Sequence, residues 1–167
     1  MGSSPELVEW GLITEVKPLN VIRSQKQLGL VVEYGYCGEK QKGLYRPEKA
    51  VFRNLDTRIP YPSEIYRDVT YHLVDKLLGW NISVPITPWV LKERDKGVLR
   101  KYWDKVDTWQ NYHYSRDMMN YNDRDFWTKT AVLDYICGVI DRNANDVLFI
   151  TGTNEKKVAR TCRAINR

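Results

Sequence analysis

The feature that most constrains this chain is the run Ala131 to Ile150, AVLDYICGVIDRNANDVLFI, in which a helical pattern, a polar loop and an apolar strand follow one another without a break. Val132, Ile136, Val139 and Ile140 recur at helical spacing, which predicts a helix with that face on a core. Asp141 to Asp146 then sets two carboxylates, a guanidinium and two amides into six residues. A polar loop held between a buried helix and a short strand presents reactive groups from a rigid frame. Phosphoryl transfer is the chemistry that wants this set: one carboxylate accepts a hydroxyl proton, an oxygen ligand a few residues on holds Mg²⁺, and the protein otherwise positions groups and neutralises charge. Asp141 would be the first and Asp146 the second. The same residues also make a solvated turn that caps a neighbouring element, which is the commoner role of such loops, so the rest of the chain has to decide.

At 167 residues the chain suits one domain with a sizeable core, and 43% hydrophobic against 28% charged residues is ordinary for a globular protein. No stretch approaches the roughly 20 apolar residues of a membrane span, and MGSSPELVEW has no basic and apolar regions of a signal peptide. Cys37, Cys137 and Cys162 are odd in number and far apart, which argues against a disulfide framework and for a reducing, cytoplasmic setting. His72 and His113 are too isolated for a metal cluster. The net charge of +5 permits attraction to anions, but no block of like charge concentrates it, which disfavours nucleic acid as a partner.

Taken in order, Leu7 to Val16 predicts a strand closed by Pro18. Leu19, Val21 and the run Leu28 to Tyr34 predict two antiparallel strands joined through Arg23 to Gln27, and a turn from Gly35 to Gly43 leads to a third strand at Leu44 to Pro47. The clearest helix runs from Ser63 to Leu78: Ser63 suits the N-cap, Glu64 the first turn, Ile65, Val69, Leu73 and Leu77 repeat every four residues as the core face, and Gly79 ends it. Pro85 to Leu91 and Val98 to Trp103 pair around a turn at Arg94 to Gly97. Trp109, Tyr112, Tyr114 and Tyr121 sit among polar residues in a variable stretch, Asp123 caps the helix that opens at Arg124, and Lys157 to Ile165 predicts a last strand.

DYICGVIDRNANDVLF resembles the catalytic loop of the phosphatidylinositol 3/4-kinase-like superfamily of atypical kinases, a helix ending in DRHxxN followed by a strand. Asn143 stands in place of the family's His and Asp146 in place of its metal-binding Asn. GLYRPEKAVF is similar to the strand whose Tyr-Lys-Pro carries the phosphate-clamping Lys, with Arg46 at that position. YRDVTYHLVDKLLGW followed by Val84-Pro85 and Thr87 resembles the family's REVAAYxVDRLLGW and VPxT segment. There Asp68 takes the place of the Glu that pairs with the clamping Lys, and Glu64, one turn earlier, is the alternative. Near the C-terminus Asn166 stands where the family's second metal-binding Asp would be.

The resemblance implies an α+β fold, a protein-kinase-like N-lobe of antiparallel sheet plus one packed helix with a truncated C-lobe: about 7–103 for the N-lobe, 104–123 for an insertion, and 124–167 for the catalytic helix, loop and terminal hairpin. It implies a phosphotransferase using ATP and Mg²⁺, with Asp141 and Arg142 at the chemistry, Arg46, Asp68, Glu64 and Ser24 around the nucleotide, and Asp146 with Asn166 on the metal. The acceptor is open among lipid, protein and small molecule. A pseudokinase or kinase fragment acting as a binding module is the competing expectation. A nucleic-acid binder using the 103–121 aromatics and the basic C-terminus is a third.

Overall fold

The computed structural model describes residues 13–23, 28–48, 63–91, 96–108, 123–139, 142–143, 146–150 and 155–159. The fold is α+β and mostly antiparallel. It divides into two compact units, one drawn from residues 1–69 and 85–102 and the other from 70–84 and 103–167.

The first unit is a five-stranded antiparallel sheet in the order β1-β2-β3-β5-β4, built from β1 (Ile13–Arg23), β2 (Leu28–Tyr36), β3 (Glu39–Pro47), β4 (Ile86–Val90) and β5 (Lys96–Lys101). The period of two in β2 sends Val32, Tyr34 and Tyr36 to one face, where they pack with Ile13, Tyr45 and Leu99. The opposite face carries Val98, packed with Ile86 and with Val69 of helix α1 (Ser63–Leu77).

Two expectations change here. The β2–β3 connection is not the long turn from Gly35 to Gly43 but the pair Cys37-Gly38, at φ 50° and 82°, the left-handed pair that a two-residue hairpin requires. Glu39, Lys40 and Lys42 are exposed strand residues on both faces of the hairpin end of β3, and the strand becomes buried from Gly43 onward. Nor does Pro18 close β1. The strand runs through it to Arg23, with register shifts at Thr14/Lys17 and Pro18/Asn20. An edge strand with bulges accepts a residue that has no N–H to donate.

The second unit combines the residues of α1 from Thr70 onward, helix α2 (Arg124–Ile136) and a three-stranded antiparallel sheet, β6 (Val106–Thr108), β7 (Val147–Ile150) and β8 (Lys156–Val158), in that order. β6 falls inside the stretch expected to be an insertion, and β8 is shorter than the strand expected from Lys157 to Ile165, whose residues beyond 159 lie outside the described ones. Asp123 caps α2, its side chain accepting the Phe126 N–H at 3.1 Å, and Gly79, at φ 69°, follows the end of α1. Among the described residues no helix is long and apolar enough to cross a membrane.

Of the helix faces expected in the core, Val69 is buried and Val139 packs against the core, but the other described members are exposed. On α1, Leu73 and Leu77 are exposed, while Tyr71, His72 and Asp75 are buried with Val69. On α2, Val132 and Ile136 are exposed and Phe126, Thr130 and Leu133 are buried. Ile65 and Ile140 lie outside the described side chains. On α1 polar groups enter the inward stripe because each has a bonded partner there, and on α2 Thr130 sits between the apolar Phe126 and Leu133. Thr130 donates to the Phe126 carbonyl at 2.8 Å, so burying it leaves nothing unsatisfied.

β3 and β5 meet so closely at Gly97 that an added Cβ would lie 2.3 Å from the Arg46 carbonyl oxygen and 2.9 Å from Pro47 Cα. Both are backbone atoms, which cannot rotate away. Gly97→Ala is therefore expected to cost about 2–3 kcal/mol in urea unfolding, at the upper end of overpacking effects, whereas a Cβ at Gly38 would meet open space and only the strain of its φ.

Candidate functional site

In the first unit the pleat of β3 places Leu44 and Arg46 on the face that α1 covers, with Val98 directly opposite Arg46. Asp68, beside Val69 on α1, reaches the same face. Arg46 Nη1 donates to Asp68 Oδ2 at 2.7 Å, and the two side chains are 2% and 8% exposed. The strand base and helix acid singled out in the sequence are thus joined as a buried ion pair. Such a pair roughly balances desolvation against attraction, but removing one partner strands a charge and costs about 3–5 kcal/mol. Glu64, the alternative acid, is in the first turn of α1 with its side chain outside the described part, and Ser24 lies outside the described residues.

In the second unit the loop between α2 and β7 is organised by Arg142. Its guanidinium grips both oxygens of Asp134, Nε to Oδ2 at 2.9 Å and Nη2 to Oδ1, donates from Nη1 to the Ala159 carbonyl at 2.7 Å and from Nη2 to Tyr71 Oη at 3.1 Å, and stacks over the Tyr71 ring. Tyr71 Oη donates in turn to Asp134 Oδ1 at 2.9 Å. Burial works to lower the Arg142 pKa, but the hydrogen bond to Asp134 and the negative charge around it prevail, so the pKa is raised. Tyr71 is pushed far upward, chiefly by burial. Arg142 therefore acts as a positioning residue that ties the loop to α1, α2 and the end of β8.

Asp146 closes the loop from the other side. It is 3% exposed, accepts the Asn143 N–H on Oδ2 at 3.1 Å, donates its own N–H to the Asn143 carbonyl at 3.0 Å and accepts the Ala159 N–H on its carbonyl at 2.7 Å. Asp141 and Asn166, the expected base and second metal ligand, lie outside the described residues. Asp146 offers a hard oxygen of the kind Mg²⁺ takes, but among the described residues no group of three or more metal-ligating side chains comes together. The described residues do not make up a magnesium site by themselves.

A second buried network in this unit was not singled out from sequence. Asp75, fully buried, accepts from the Ile82 N–H at 3.2 Å, the Ser83 N–H at 2.8 Å and the Ser83 hydroxyl at 2.6 Å. The Ser83 oxygen thereby gives its proton to Asp75, so it accepts from His72 Nδ1 at 2.7 Å. The hydroxyl is held by a carboxylate and buried, which is an anchor for the 82–83 segment rather than a nucleophile. The signal for Asp75 was available: it lies seven residues after Asp68 on one helix, hence on nearly the same face. Tyr71 and Asp134 carried no comparable signal.

Compared with known protein families, with curated proteins and with solved structures, the chain matches none.

Two measurements check these networks. Asp134→Ala is expected to cost about 3 kcal/mol in urea unfolding by stranding the Arg142 guanidinium, with the double variant Asp134→Ala/Arg142→Met losing less than the sum of the single ones. The second concerns pH. His72 is held down to about 4 from an ordinary 6.5, first by burial and then by Lys76 and Lys157, against the opposing pull of Asp75. The unfolded chain therefore binds the extra proton first. Stability from this group is complete above pH 6.5 and falls as the pH drops toward 4, by about 3 kcal/mol in all. His72→Asn, which keeps a donor for Ser83, should flatten the curve of unfolding free energy against pH in that window.

Proposed function

We propose that the chain is a nucleotide-binding phosphotransferase of the phosphatidylinositol 3/4-kinase-like type, with the first unit as its kinase-like N-lobe. The observation that carries this reading is the buried Arg46–Asp68 pair at 2.7 Å, a base on the third strand of an antiparallel sheet held by an acid on the helix that covers it. Phosphoryl transfer needs a cation fixed in place against the phosphates, and an ion pair that immobilises the guanidinium supplies that preorganisation. In this reading Asp68 orients Arg46, Arg46 takes phosphate oxygens, Asp141 receives the acceptor's hydroxyl proton, and the Arg142 clamp holds the loop on which Asp141 sits. Mg²⁺, bound with ATP, would be held through Asp146 and Asn166 and would neutralise phosphate charge. The acceptor is a hydroxyl on a lipid, a protein or a small molecule.

A second reading, a kinase-like binding module without transfer activity, is favoured by Asp146. Its carboxylate is buried and already accepts the Asn143 N–H, so metal binding there competes with closure of the loop.

Calorimetric titration of ATP with and without Mg²⁺ separates the two. Arg46→Lys is expected to weaken ATP binding about tenfold or more through loss of the fork, the loss of a charge-assisted hydrogen bond being worth about 1.5–3 kcal/mol, and adding Asp68→Glu should recover part of it by restoring reach. Asp146→Ala should abolish the part of the affinity that depends on Mg²⁺. ATP binding that ignores Mg²⁺ in both the native chain and Asp146→Ala, with no release or transfer of the γ-phosphate, would establish the second reading. Absence of any ATP binding would sink the first reading and leave the second standing.

A further inference from the structure

The face of the first unit's sheet that α1 covers holds more positive charge than the reading above uses. The pairing register sets Arg46 of β3 opposite Val98 of β5 and Leu44 opposite Arg100. All four side chains consequently share one face, and Arg46 and Arg100 are diagonal neighbours, about 7–8 Å apart along the sheet and within reach of long side chains. Both are buried, at 2% and 8% exposure. Asp68 answers the first. For the second, the described residues offer no hydrogen bond or ion pair to the side chain, and Arg100 Nε is a buried donor without an acceptor. Glu33, the acid of β2 that the register puts on this face, is taken by Lys40 at 3.0 Å.

Among the described residues no acceptor meets the Arg100 Nε, so burying this guanidinium diagonal to that of Arg46 leaves its positive charge unanswered there. A guanidinium cannot shed its proton to escape that cost. A bound oxyanion removes it, and the planar fork of Arg is suited to two oxygens of a phosphate at once. We infer that this sheet face is a phosphate-binding site in which Arg100 is a second guanidinium arm beside Arg46, and that its ligand is a polyphosphate, either free or carried on a nucleotide. The inference rests on the proposed function only for the role of Arg46. The unmatched charge of Arg100 stands independently of any transfer chemistry.

The test is calorimetric titration of the full chain with tripolyphosphate in the absence of divalent metal, and separately with ATP, for the native sequence, Arg100→Met and Arg100→Lys, each checked by thermal melting. Arg100→Met should fold and melt no lower than the native chain, since it removes a buried unmatched charge while keeping the length of the side chain. It should bind tripolyphosphate at least tenfold more weakly and lose the rise in Tm that tripolyphosphate gives the native chain. Arg100→Lys should fall between the two. Equal weakening toward tripolyphosphate and ATP identifies the phosphates as the recognised group, whereas tighter binding of ATP than of tripolyphosphate, abolished by Arg100→Met, identifies a nucleotide. A folded Arg100→Met chain that binds both ligands as the native one does overturns the inference. Should Arg100→Met fail to fold, native-like tripolyphosphate affinity in Arg100→Lys overturns it instead. Failure here with Mg²⁺-dependent ATP binding still sensitive to Asp146→Ala leaves the proposed function standing. Loss of tripolyphosphate binding in Arg100→Met, with ATP binding indifferent to Mg²⁺ and to Asp146, leaves the phosphate site standing without it.

Discussion

A helix that turns carboxylates inward has to find each of them a partner, and α1 meets that constraint twice. Asp68 is answered by Arg46 on β3, and Asp75 by two backbone N–H groups and the Ser83 hydroxyl. Burying a carboxylate with nothing to bond it would cost more than the helix gains by packing. These partners therefore dictate where β3 and the 82–83 segment run against the helix. The second is held by three hydrogen bonds, two of them from backbone N–H groups. The first is an ion pair, and only it sets a mobile cationic side chain in a fixed place.

The same constraint explains which parts of the fold were legible in the sequence. The alternation of β2 and the Asp123 cap could be read because local rules govern them, whereas the β2–β3 turn was placed too long because the polar residues Glu39 to Lys42 look like a turn. The helix faces could not. The aliphatic repeat Val69, Leu73, Leu77 is a stronger pattern than a stripe containing Asp68, His72 and Asp75, and the pattern rule assumes that polar residues face water. It fails where long-range partners satisfy them. The partner of Arg142 is Asp134, eight residues away, but the third member, Tyr71, is 71 residues from Arg142, and no local spacing announces a contact across that interval. Arg46 and Asp68, 22 residues apart, were found because two resembling motifs each carried one of them. Arg100 was not singled out, since its burial and its Nε without an acceptor are properties of the folded state.

Once polar networks take the inner stripes, the aliphatic residues beside them have to turn outward. Leu73 and Leu77 lie on the side of α1 away from Tyr71, His72 and Asp75, and on α2 the exposed Tyr135 lies opposite Phe126, Thr130 and Leu133. Their exposure is a geometric consequence of the networks. A helix has one circumference, and a stripe given to hydrogen-bonded groups is not available to leucine.

The choice of arginine at both buried basic positions of the first unit carries the argument further. A lysine buried without a partner can lose its proton and become a neutral amine, so a sheet face with one lysine too many can relax by titration. Arginine has no such exit, since its pKa lies above any pH the protein meets. With Arg46 tied to Asp68 and Arg100 diagonal to it, Arg100 adds a fixed positive charge to this face. Binding an anion offsets the Arg100 charge without any proton transfer, which is the route a guanidinium leaves open. A phosphate that takes the Arg100 fork lowers the positive potential around Arg46 as well, so both guanidiniums gain from one ligand without either leaving its strand.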